Sequence, residues 1–118
     1  MVQYWSALAT GDTRLMTHVL WTHFPESFRR AAFATYIRCH DDIGLGFDDA
    51  DIIRAGYSPQ SHRKFLVDYF TGSYDDSPAR GVIFGHNDKT GDARISGSLA
   101  SLAGLQSALD SGDETAIQ

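Results

Sequence analysis

A chain of 118 residues with 42% hydrophobic content has material for one small core and the composition of an ordinary globular protein. Fifteen acidic against ten basic residues leave a net charge of −5. That is the opposite of the basic footprint that phosphate backbones or anionic lipid select, so neither nucleic acid nor a membrane is an expected partner.

Apolar residues at helical spacing mark a first helix over 2–9, interrupted by Gly11-Asp12. Leu15, Met16, Val19 and Leu20 mark one face of a second, with Asp12 or Thr13 as N-cap and Pro25 closing it. The run FATYIRC at 33–39 is rich in β-formers and reads as a strand ending in His40-Asp41-Asp42. Two glycines in IGLGF, 43–47, read as a tight loop. Asp48 caps a short helix to about Ala55. Ser58-Pro59 opens a longer helix with Phe65, Leu66, Tyr69 and Phe70 on its buried stripe. After a loop over 72–78, Val82-Ile83-Phe84 and Ala93-Arg94-Ile95 flank a polar turn and predict a β-hairpin. Ser98 caps a helix carrying Leu99, Leu102, Leu105 and Leu109, and 114–118 starts another. A single long strand leaves its backbone groups unpaired on both sides, so its partners are expected to be missing.

The single cysteine, Cys39, cannot close an internal disulfide. No CxxC or Cys/His cluster provides for zinc, and no cofactor is expected. The opening MVQYWSALATGD lacks the features of a signal peptide, and no apolar run approaches a bilayer span, which makes a cytoplasmic setting the expectation. His18, His23, His62 and His86 lack metal spacing and read as surface or packing residues. Trp5, Trp21 and Phe47 are of a type that stacks on sugars, though beside apolar neighbours such rings are more often core.

His40-Asp41-Asp42 is the most informative triplet, because imidazole and carboxylates gathered at a strand end can donate, accept and stabilise positive charge. In (β/α)8 barrels the active site is built at such strand ends. The bland alternative is a capping or loop-ordering cluster. A more distant one is a metal-dependent phosphohydrolase with His40 and Asp41 as ligands, which needs further histidines at fixed positions.

YIRCHDDIGLGF, SHRKF, PARGVIF and TGDARISGSLASLAGL follow one another in an order and spacing that resemble the amylosucrases and related sucrose hydrolases of the α-amylase superfamily. The resemblance covers nearly the whole chain. It implies an α/β fold: an incomplete (β/α)8 barrel, mostly helical, with one barrel strand and an inserted helix-plus-hairpin subdomain. The divisions would be 1–42 in the barrel, 43–108 in the insertion and 109–118 in the next barrel helix. It also implies that His40 and Asp41 hold the glucosyl ring being transferred. Asp41 would stabilise the oxocarbenium-like transition state by binding the distorted ring better than the relaxed one. Asp42 and Arg94 would contact the fructosyl or acceptor ring, and Arg63 a growing α-glucan chain. The donor would be sucrose or another α-glucoside, and the acceptor an α-glucan. The family has tryptophan where this chain has Leu45, and 74–78 departs from the family's lead into ARG. Both differences leave the donor open.

Simpler roles exist for each residue. Asp42 and Arg94 would pair to pin a loop, Arg63 would be a solvated helix charge, and Arg80 would bond loop carbonyls. A retaining glycosidase needs two further carboxyl groups roughly 5–5.5 Å apart. Upstream of His40, Asp12 and Glu26 sit at a helix start and in a loop, so the nucleophile and acid/base are expected elsewhere, and the isolated chain is expected to cleave nothing. A non-catalytic carbohydrate-binding module is the alternative.

Overall fold

The computed structural model describes residues 2–27, 29–37 and 42–118. In chain order come α1 (Val2–Thr10), α2 (Arg14–His23), β1 (Ile43–Gly44), α3 (Asp49–Arg54), α4 (Pro59–Phe70), β2 (Val82–Asn87), β3 (Asp92–Ser96), α5 (Leu99–Leu102), α6 (Leu105–Ser111) and α7 (Glu114–Ile117). Helices α3, α5 and α7 begin where short polar side chains satisfy otherwise unpaired amides, whereas Ser58 before α4 makes no side-chain cap bond. Asp48 accepts from the amides of Ala50 and Asp51, Ser98 from Ser101, and Asp113 from Thr115 and Ala116. At α2 the cap is made one residue early: Thr13 makes no side-chain cap bond, and Asp12 Oδ1 accepts from the Arg14 amide.

The strands form one antiparallel sheet in the order β1-β3-β2, giving a mixed α/β architecture. Ile43 pairs with Ile95 and Gly44 with Arg94. On the other side of β3, Val82 pairs with Ser96, Ile83 with Ile95 and Phe84 with Arg94. Gly85, at φ 68°, sits in the bulge that shifts the register between Phe84 and His86. Alternation then sorts the faces. Ile43, Ala93 and Ile95 turn to a core that also holds Leu66 and Phe70 of α4, Leu15 of α2 and Trp5 of α1. The Trp5 and Phe70 rings meet edge-on, centroids 5.2 Å apart. This core spans the expected division at residue 42.

Three elements differ from the sequence reading. The predicted strand over 33–39 is not formed in its described part: residues 31–36 have no regular structure, 37 is a bend, and Phe33, Tyr36 and Ile37 are exposed. β-propensity alone does not make a strand without a ladder partner. The expected loop over 43–47 instead begins with strand β1, and Ile43, Leu45 and Phe47 are buried in alternation while Gly44 and Gly46 intervene. The amide of Leu45 extends the pairing to the carbonyl of Ala93. The helix expected from Ser98 is broken into α5 and α6 by Gly104, whose φ of 91° suits glycine and whose backbone lies against Pro78: a Cβ there would fall 2.7 Å from the proline Cβ. Of its four leucines only Leu102 is buried.

Candidate functional site

His40 and Asp41 lie outside the described residues. Asp42, one residue before β1, and Arg94, in the middle of β3, are both described, and the sheet register brings them together. Cross-strand partners point to the same side of a sheet, as do residues two apart on one strand. The row Gly44, Arg94, Phe84 therefore runs across all three strands on the face opposite the core. Continued by one step, the adjacent row is Asp42, Ser96, Val82. A concavity of about 510 Å³ opens beside this face, lined by Asp42, Arg80, Val82, Ile83, Phe84 and Ser96, but not by Arg94.

Asp42 is half-buried and Arg94 exposed. They form no ion pair with each other, and among the described residues neither side chain has a hydrogen-bonding or charged partner. The loop-pinning pair offered as the simple reading is not made. Gly44 leaves bare backbone between them, because nothing lies within 4 Å of where a Cβ would be. The face thus presents an acceptor carboxylate and a planar five-donor guanidinium with a gap between them. Such a pair can read several hydroxyls in fixed geometry.

Arg63 occupies another place. It is 6% exposed on the inner side of α4, where Nη2 donates to the carbonyl of Phe47 at 2.7 Å and Nε to that of Leu45 at 3.3 Å. The same Nη2 meets Asp49 Oδ1 at 2.7 Å. It is not a solvated helix charge. It ties the segment after β1 and the start of α3 to α4, and so holds the strand that carries Asp42 up to the sheet. Arg80 bonds Asp110 and the Ser107 hydroxyl, at 2.9 and 3.2 Å, and among the described residues no loop carbonyl. Trp21 is 80% exposed on α2, while Trp5 and Phe47 are core.

Three polar clusters escape sequence reasoning because their members are far apart in the chain. Asp51, buried on α3, takes an imidazole on each oxygen: His18 Nε2 at 3.0 Å and His23 Nε2 at 2.8 Å. Ser6 Oγ and His62 Nε2 lie 3.0 Å apart in the core. Burial, reinforced by the Arg63 charge, pushes the His62 imidazolium below the ordinary histidine value. Asp12 receives the Tyr57 hydroxyl at 2.6 Å and the Arg14 guanidinium at 2.6–2.7 Å. The Arg14 bond, then the Tyr57 bond, holds its carboxyl well below the usual carboxylate range. These clusters join α2 to α3, α1 to α4, and the α1–α2 turn to Tyr57. Among the described residues no group of three or more His, Cys, Asp or Glu is placed to hold a metal ion, and no helix is long and apolar enough to cross a membrane. No protein-family model matches the chain.

Proposed function

We propose that this chain supplies the acceptor side of the sugar pocket in an amylosucrase-like, α-glucosyl-transferring glycoside hydrolase of the α-amylase superfamily. The observation that carries the reading is the sheet register, which sets Asp42 and Arg94 on one open face, unpaired with each other, beside bare backbone at Gly44. Asp42 accepts from hydroxyls of the fructosyl or acceptor ring and Arg94 donates to them. His40 and Asp41, just ahead of Asp42 in the sequence, hold the ring in transfer. The Asp41 carboxylate strengthens its bonds to the ring hydroxyls as positive charge grows at the anomeric carbon. Sucrose or another α-glucoside is the donor and an α-glucan the acceptor. Residues 1–42 belong to the wall of a (β/α)8 barrel, 43–108 to a subdomain inserted after a barrel strand, and 109–118 to the helix that follows. The setting is cytoplasmic, and the nucleophile and acid/base are assigned to no residue of this chain.

Saturation-transfer NMR on the 118-residue chain with millimolar sucrose or maltotriose tests the reading. Transfer to the sugar protons is expected, with loss of transfer in Asp42→Asn combined with Arg94→Ala, and no release of glucose or fructose. Absence of transfer from the unaltered chain, or turnover of sucrose by it, would overturn the reading. Micromolar affinity in calorimetry would also overturn it, in favour of a self-sufficient carbohydrate-binding module.

A further inference from the structure

We infer that Phe84 is the stacking platform of this sugar face, and that the face takes an α-glucan segment of at least two rings and not a single hexose. The inference rests on the acceptor-side reading of Asp42 and Arg94 and extends it to a stacking residue and to the number of rings the face accommodates.

Phe84 is the cross-strand partner of Arg94 and is 59% exposed in the second strand of a sheet; it stands on the face that carries Asp42 and Arg94, and with Asp42 it lines the concavity. Aromatic rings this open are costly to leave in water and gain most from a ligand that covers them. A glucopyranose presents one face of C–H groups, suited to an aromatic ring, and a rim of equatorial hydroxyls, suited to charged planar groups. Sugar sites combine both kinds of contact because the apolar contact supplies affinity and the polar contacts fix orientation.

The spacing sets the ligand length. Neighbouring strands lie about 4.8 Å apart, so Arg94 is one spacing from Phe84, and the β1 edge carrying Asp42 is two, roughly 10 Å away. One pyranose ring, about half that width, covers Phe84 and reaches Arg94 but not Asp42. A second α-linked ring, lying over the bare backbone of Gly44, reaches Asp42. Ser96 lies between the two ends and Val82 beside Phe84, so no large polar side chain blocks the path. Arg80, anchored by Asp110 and Ser107, also lines the concavity.

The test is saturation-transfer NMR with maltotriose and with glucose on the unaltered chain, Phe84→Ala, Phe84→Leu and Phe84→Trp, with amide spectra to verify the fold. Maltotriose is expected to bind better than glucose. Loss of the ring is expected to weaken maltotriose binding about tenfold, the equivalent of a stacking contact. Phe84→Leu keeps an apolar strand residue without a flat face and should fail like alanine, whereas Phe84→Trp should retain binding. If Phe84→Ala or Phe84→Leu binds maltotriose as the unaltered chain does, while the Asp42 and Arg94 variant does not, the platform is wrong and the acceptor-side reading stands. Equal transfer to glucose and maltotriose refutes the two-ring specificity. If the unaltered chain shows no transfer to any α-glucoside, both fall.

Discussion

His62 shows how one buried side chain sets a pH dependence. Its ring sits between Tyr57, 4.7 Å away, and Phe47, 5.5 Å away, with Ser6 on Nε2, and desolvation followed by the neighbouring Arg63 charge disfavours the protonated form. In the unfolded chain it titrates near 6.5. Because the folded value lies lower, the unfolded state binds more protons once the pH falls below about 6.5. The stability from a neutral His62 is thus present above that pH and lost as the pH falls through it. Urea unfolding followed by Trp5 fluorescence, in a Trp21→Phe background, is expected to give a lower midpoint at about pH 5.5 than at about pH 7.5. In His62→Gln the difference should shrink. An unchanged difference would show that burial at this site is not the cause.

Arg63 is the second residue whose role depends on burial. Replacing it with methionine keeps most of the stem but takes the donor from the carbonyl of Phe47, whereas that of Leu45 still accepts from the Phe47 amide at 2.8 Å. An unsatisfied buried acceptor costs about 1–3 kcal/mol, so a loss of that size in urea unfolding is expected. A loss within ~0.5 kcal/mol would place Arg63 with ordinary surface charges. Sequence alone assigned this arginine to a polar face or a ligand, because nothing local shows that two carbonyls eighteen and sixteen residues upstream converge on it.

At the scale of elements, packing separates glycines that look alike in the sequence. Gly81 leads into β2, its amide donating to the carbonyl of Phe70 at the end of α4. A Cβ there would lie 2.6 Å from that same carbonyl oxygen, 2.7 Å from Leu102 Cδ2 and 2.8 Å from Ile95 Cγ2. Backbone and two core side chains would all have to move. Gly81→Ala is therefore expected to cost about 1–3 kcal/mol, toward the upper end. Gly46, with nothing within 4 Å and no positive φ, is the contrast: Gly46→Ala should be neutral or stabilise by up to ~1 kcal/mol, through loss of unfolded-state entropy. Chemical denaturation of the two variants side by side checks both, and a reversed order would show that the hairpin does not dock on α4 this closely.

The same packing explains what the sequence could reveal about the elements. Local signals identified α1, α3, α4 and the hairpin, since caps, helical spacing and a glycine-bearing polar turn are encoded by neighbours in the chain. β1 was missed although Ile43, Leu45 and Phe47 alternate, because the intervening glycines imitate a loop and the partner strand is about fifty residues away. The run at 33–39 erred the opposite way: it has the propensity of a strand, but no described strand lies beside it. Gly104 was invisible as a break because its reason, contact with Pro78, is long-range. At the site, Asp42 and Arg94 were legible through the resemblance, whereas Phe84 emerged only from the register.

For the whole molecule, the consequence of an open sheet is association. β3 is paired on both sides and β1 is two residues long, so among the described residues β2 is the long free edge, and all six of its residues are exposed, Val82, Ile83 and Phe84 among them. A free edge of this kind is a template for another strand, and natural edges are protected by lysine, proline or a bulge. Here the bulge at Gly85 falls after the apolar half, leaving that half flat. Concentration-dependent association is therefore expected in sedimentation velocity. Ile83→Lys, which puts a charge on the edge, should return the chain to a monomer. Trp21, 80% exposed on α2, is the control: Trp21→Lys should leave association intact if the edge drives it. If only Trp21→Lys yields monomers, the contact runs through the helices and β2 is not the joining surface.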